Sequence, residues 1–98
     1  MYTLEVQGLA QEEFESNYYY YKYFVSEKVA SDFDLEYRRS LIYIKSNPEL
    51  YVKEGKKYRK YIFKKFKHVI YYKVVKQKIY IIAILHQSRD MKNIMMVR

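Results

Sequence analysis

The feature that most constrains this chain is a change of periodicity at Asn47-Pro48, the position of its single proline. Before it, apolar residues recur at helical spacing; after it, they recur at strand spacing. Phe14, Tyr18, Tyr21 and Val25 stand four, three and four residues apart. That spacing puts them on one face of a helix running from near Leu9 to about Val25. Glu12, Glu13 and Glu15 crowd the start of this helix, where negative charge complements the positive end of the backbone dipole. Ala30, Phe33, Tyr37, Leu41 and Ile44, at spacings of three, four, four and three, predict a second helix from Ser26 or Glu27 to Ser46. It ends at Asn47 because a residue before proline avoids the helical region. The short break between the helices predicts an antiparallel hairpin.

The flanking segments read as strands. Tyr2–Gln7 alternates weakly and is ended by Gly8. Lys57–Lys64, Phe66–Val74 and Lys78–His86 are rich in Ile, Val, Tyr and Phe, which fit a pleated, half-buried surface. In the middle one, Phe66, His68, Ile70, Tyr72 and Val74 share a face, with Lys67, Val69, Tyr71 and Lys73 on the other. In the last, strict alternation puts Ile79, Ile81, Ala83 and Leu85 on one face and Tyr80, Ile82 and Ile84 on the other. Apolar residues on both faces mark a central strand covered on both sides. Val75–Gln77 is the hairpin connection, although it lacks the usual Gly or Asn. The expected architecture is α+β, β-α-α-β-β-β: a helical hairpin packed on a mostly antiparallel sheet, forming one domain over residues 1–98.

Ninety-eight residues, half of them hydrophobic, support one compact core. The absence of cysteine excludes disulfides, thiol catalysis and cysteine-based zinc sites. The longest uncharged apolar run, Ile79–Leu85, is strand-sized, far short of the ~20 residues that span a bilayer. The N-terminus has no basic region followed by a hydrophobic one, so no signal peptide is expected and the cytoplasm is the default compartment. The net charge of +8 is unevenly spread. Residues 1–50 carry five basic and nine acidic side chains, a net of −4, whereas residues 51–98 carry fourteen basic and two acidic ones, a net of +12. A half-chain this basic attracts an anionic partner, either a nucleic acid or an acidic peptide.

The basic residues concentrate in Lys53, Lys56, Lys57, Arg59, Lys60, Lys64, Lys65 and Lys67, interleaved with Tyr58, Tyr61, Phe63 and Phe66. Cations beside aromatic faces suit nucleic acid, but lysines on a sheet edge also guard against aggregation. His68 and His86, the two histidines, stand at no metal-ligand spacing, so neither a metal nor a cofactor is expected. His68 reads as a mid-strand histidine partly buried by its neighbours. His86 ends the last strand and opens the cluster His86-Gln87-Ser88-Arg89-Asp90. There it is either a structural donor, beside an Arg89–Asp90 ion pair, or a general acid or base. A helix spreads the run Tyr18–Tyr21 around its axis, some rings inward and others outward. Met91, Met95 and Met96 read as part of a frayed terminus.

Three segments resemble a known family. SNPELY (Ser46–Tyr51), KYRKYIFKKFKHVIYYKV (Lys57–Val74) and IYIIAILHQSRD (Ile79–Asp90) look like the toxin subunits of RelE/ParE toxin–antitoxin modules. The match is close over the second half, and the first half matches in layout. Lys67-His68 stands where the family usually has Pro-Tyr. Ser88 replaces a frequent second arginine, and Met91 replaces a proline. The resemblance implies two possible activities. RelE-like members cut mRNA on the ribosome with several Lys and Arg residues and, in some branches, a Tyr or His near the C-terminus. ParE-like members are not known as nucleases, and the best-studied of them block DNA gyrase. Arg59 is comparable to one basic residue of the RelE set, but the arginine expected in the next strand falls near Val69, and no tyrosine follows His86. A ParE-like binding toxin is therefore the preferred reading, with Arg59, His86 and Arg89 as the minimal set for the nuclease alternative. Lys56, Lys57, Arg59, Lys60, Lys64, Lys65 and Arg89 are the expected contacts to target or antitoxin. The resemblance also implies a cognate acidic antitoxin that orders as it wraps the domain, possible assembly as a heterotetramer, and no role for a membrane.

Overall fold

A computed structural model of the protein describes residues 1–89. Its elements are β1 (Thr3–Val6), α1 (Gly8–Phe24), α2 (Glu27–Ser46), β2 (Lys53–Glu54), β3 (Tyr58–Ile62), β4 (His68–Val75) and β5 (Lys78–His86). They form a five-stranded sheet in the order β1-β5-β4-β3-β2. All neighbours are antiparallel except β1, which lies parallel to β5. The two-residue β2 is an addition to the expected order. The segment leading into it is tied down at Pro48, whose carbonyl accepts the buried Tyr72 hydroxyl at 2.5 Å.

The helices form as the spacing requires. Ser26 caps α2, its hydroxyl accepting the Val29 N–H at 3.1 Å, a contact of the kind that contributes ~1 kcal/mol. Ala30, Phe33, Tyr37 and Ile44 are all buried beneath it. In α1, Phe14 is buried and Tyr18 and Tyr21 are half-buried, but Val25 is exposed because it lies at the C-cap, past the last turn. Ala10, missing from the expected stripe, is fully buried. The expected electrostatic role of the glutamates is corrected: α1 begins at Gly8, so its first turn holds no acidic residue. Glu13 instead accepts the Ile84 N–H of β5 at 3.0 Å. β1 stops at Val6 while β5 runs on to His86, and the carboxylate satisfies a donor left without a neighbouring strand.

The alternation expected in β5 also fails, for a definite reason. Tyr71 pairs with Ala83 and Tyr72 with Ile81, leaving Ile82 as the extra residue of a β-bulge. A bulge shifts the side-chain parity by one. Ile79, Ile81 and Ile84 therefore all join the core beneath the helices, while Ala83 and Leu85 join Val69 and Tyr71 in a second cluster on the opposite face. The alternation expected in β4 holds throughout. The sheet is thus buried on both faces along β4 and β5, and its loops converge at its two ends.

Candidate functional site

Two hairpin turns meet at one end of the sheet. The turn between β2 and β3 passes through Gly55 at φ 71°, and the turn between β4 and β5 passes through Lys76 at φ 56°. Glycine meets that left-handed geometry without strain, whereas a lysine there costs of order 1 kcal/mol. Lys53, Lys56, Lys57, Arg59 and Lys76 line one cleft between these turns, with Tyr58, Val74 and a single carboxylate, Glu49. Like charges gathered this closely repel one another and favour an anion between them. Lys53 and Lys76 belong to the cleft although the expected contact set omitted them. Lys76 could not be placed there from sequence, because it reaches the cleft only through the β4–β5 pairing.

Arg59 is partly committed to the fold. Its Nη1 donates to the Tyr51 carbonyl at 2.7 Å, holding the segment that leads into β2. Its charge acts to lower the Tyr72 phenol, but burial prevails and raises that group to about 12. The rest of the basic run is divided, rather than spread over one sheet face. Lys60 follows Arg59 and so points to the other face, where it pairs with Glu54 at 3.1 Å. Lys64 and Lys65 lie in the turn between β3 and β4. Both backbone N–H groups there converge on the Glu36 carboxylate of α2. Their side chains line a separate groove with Leu35, Arg39, Tyr43 and Tyr61.

His86 and Arg89 sit at the opposite end of the sheet from the cleft. His86 is exposed, its Nδ1 accepting the Ser88 N–H at 3.1 Å and lying 2.9 Å from the Ser88 hydroxyl. Arg89 is exposed, its backbone N–H bonded to the His86 carbonyl at 3.0 Å. Asp90 and the three methionines after it lie outside the described residues. Across the β4–β5 ladder His86 faces His68, ring centroids 5.6 Å apart. His68 is only 2 % exposed. Its Nε2 lies 3.1 Å from Asn17 Oδ1, while Asn17 Nδ2 donates to the Glu13 carbonyl at 2.7 Å. Asn17 Oδ1 is therefore the acceptor and His68 Nε2 carries the proton, leaving Nδ1 buried without a partner. Burial first, and His86 second, lower His68 to about 4. His68 is a neutral core residue.

Arg59 and His86 do not converge. Arg59 pairs with Tyr72, opposite Ile81, and His86 lies five residues further along β5 and two strands away. At ~3.4 Å per residue and ~4.8 Å per strand that is roughly 20 Å. Among the described residues no cluster of three or more His, Asp or Glu could hold a metal, and no helix is long and apolar enough to cross a membrane.

Residues 4–91 match the family model described as the ParE toxin of the type II toxin–antitoxin system parDE. The chain belongs to the ParE toxin family. Solved structures agree in fold. A chain from the chromosomal ParDE toxin–antitoxin system of P. aeruginosa superposes with a TM-score of 0.65 at 15% identity, covering 88% of this chain and 96% of that one. The isolated E. coli RelE toxin superposes at 0.61 and 14% identity, covering 99% and 96%. No curated protein sequence matches significantly. ParE and RelE chains thus share this arrangement of a helical hairpin on a curled sheet, and the ParE-type model spans nearly all of this chain.

Proposed function

We propose that this ParE-type toxin arrests growth by binding its target without cleaving RNA, and that DNA gyrase is that target. The observation that supports this reading is the division of the cations. Five of them surround one cleft between two hairpin turns, while the minimal cleavage set of Arg59, His86 and Arg89 is spread between opposite ends of the sheet. A cleaving site needs its cations and its proton-transfer group around one phosphate, within about 3 Å of the reacting atoms. A docking site needs only a surface of matching charge.

The same cleft receives the cognate antitoxin, an acidic chain that orders on binding in the cytoplasm and builds a heterotetramer with the toxin. Its carboxylates enter between Lys53, Lys56, Lys57 and Lys76, and toxin so covered cannot reach its target. Exposed charge pairs are screened over ~8–10 Å at ordinary ionic strength, so affinity falls as salt is added. An affinity that ignores salt would remove the cleft from the interface.

The test runs two assays side by side. The toxin inhibits supercoiling by purified gyrase, and the charge-reversed pair Lys56→Glu and Lys57→Glu does not. In a translating extract, message stays intact at the same toxin concentration. Codon-positioned cleavage abolished by His86→Ala or Arg59→Ala would establish the ribosome-dependent endonuclease in place of the gyrase reading.

A further inference from the structure

The C-terminal half of α1 carries aromatic rings on both of its faces. Tyr18 and Tyr21 pack against the core. On the outward side Tyr19, Tyr20, Tyr23 and Phe24 are 50%, 57%, 70% and 77% exposed, and Val25 at the tip is 55% exposed. The outward rings form two ladders one turn apart. Tyr19 stacks on Tyr23 at 6.0 Å and 17°, and Tyr20 stacks on Phe24 at 5.5 Å and 27°. α2 carries the exposed ion pairs Lys28–Asp32 and Arg38–Asp34 alongside the exposed Leu35, Ile42 and Tyr43, with no stacked ring ladder. A contiguous exposed apolar patch of this size marks a contact surface.

We infer that the Tyr19–Tyr23 and Tyr20–Phe24 ladders pack against the same ladders of a second copy of this chain, making the protein a two-fold dimer through α1. The area supports this. Aromatic side chains carry ~150–250 Å² each, so at these exposures the patch with Val25 presents about 600 Å². Homodimer interfaces are ~65% apolar, so an interface built on this patch covers about 900 Å² per partner, against the ~800 Å² of a standard stable interface. A two-fold contact uses one surface twice, and flat, parallel ring ladders meet that requirement by offset stacking.

Charge chooses the occupant. The charge set directly against the patch is Lys22, whose Nζ lies 5.7 Å from the Tyr23 ring centroid, far less than the five cations of the cleft. Copies meeting through the patch face less like charge than copies approaching through the lysine-rich cleft. An acidic partner has the opposite preference, gaining at the cleft and nothing at the hairpin tip.

Sedimentation of the full chain over roughly 1–100 µM, where homodimers of micromolar affinity dissociate, tests the dimer directly. The wild type sediments as a dimer. Tyr23→Lys and Phe24→Lys, made on exposed side chains that leave the far-ultraviolet circular dichroism unchanged, each raise the dissociation constant at least about 30-fold, as loss of a hot-spot aromatic does. Tyr23→Phe and Lys57→Glu leave the dimer intact. A wild type that is monomeric throughout overturns the inference, as does a dimer indifferent to both lysine variants or one broken by Lys57→Glu. A monomer that binds phosphatidylglycerol vesicles through Tyr23 and Phe24 also overturns it, and assigns the patch to a lipid surface.

Discussion

The β4–β5 hairpin has two ends that solve opposite problems. At the His68–His86 end, helix side chains hold the strand and turn in place. Asn17 of α1 fixes the tautomer of His68, Glu36 of α2 holds the adjacent turn, and Phe33, Phe63 and Tyr21 pack around the imidazole. At the Lys76 end, a lysine sits in left-handed backbone geometry among four other cations with one carboxylate in reach. The first end contributes stability through a buried aromatic cluster, with His86 and Arg89 exposed at its edge. The second gives up stability to like-charge repulsion and backbone strain, and stays open. Strain and uncompensated charge that persist in a fold mark the end available for binding.

The largest effect should come from removing the centre of the packed end. Phe33 is fully buried, stacked on Phe14 at 5.6 Å and meeting Phe66 edge-on at 5.2 Å. Phe33→Ala should destabilise the fold by ~3–5 kcal/mol in urea titration. A loss under ~1 kcal/mol would mean that this end is not the stable one. The second effect is pH-dependent. His68 titrates near 6.5 when unfolded and about 4 when folded, so the unfolded chain binds the extra proton between those values. Stability from this group is fully present above pH ~6.5 and is lost as pH falls toward 4, by at most ~3 kcal/mol. His68→Phe should remove that part of the acid dependence. Parallel stability–pH curves for wild type and variant between pH 4 and 6.5 would count against a neutral, buried His68.

Much of the fold was legible in the sequence because it depends on local periodicity. Both helices, β1 and the three long strands follow from apolar spacing and from Asn47-Pro48. What was not legible depends on register. The bulge at Ile82 has no signature in an unbroken run of Ile, Ala and Leu, yet it decides which of those side chains meet the helices. Glu13 looked like a partner for its own helix end and proved to be an acceptor for β5, 71 residues away in sequence. The candidate site was legible as a basic run only. Its division into a cleft, a Glu54-paired lysine and a Glu36-held turn required the pairing of β2 with β3 and the position of α2. The family was legible in its second half, where the motifs run from Ser46 through β3, β4 and β5.

Two smaller effects sharpen the contrast between the ends. At the packed end, Glu36→Gln weakens the charge-assisted hydrogen bonds to the Lys64 and Lys65 N–H groups, each contributing ~1.5–3 kcal/mol when the acceptor is ionised. The amide oxygen keeps part of the interaction, so the expected loss is about 1–2 kcal/mol, read as a lower urea midpoint with an unchanged slope. An unchanged midpoint would show that the turn between β3 and β4 holds itself.

At the open end the sign reverses. Asn tolerates the left-handed region far better than Lys does, and Lys76→Asn also removes one of five mutually repelling cations. The variant should be more stable by about 0.5–1 kcal/mol, within the usual gain from relieving an unfavourable backbone position. Its affinity for an acidic partner should fall, and the salt dependence of that affinity should flatten, because one charge fewer is neutralised on binding. A gain in stability together with a loss of binding is the trade-off expected of a residue kept for contact rather than for folding. If Lys76→Asn instead destabilised the protein, or stabilised it with binding unchanged, the strained lysine would belong to the fold and the two ends of the hairpin would no longer differ in kind.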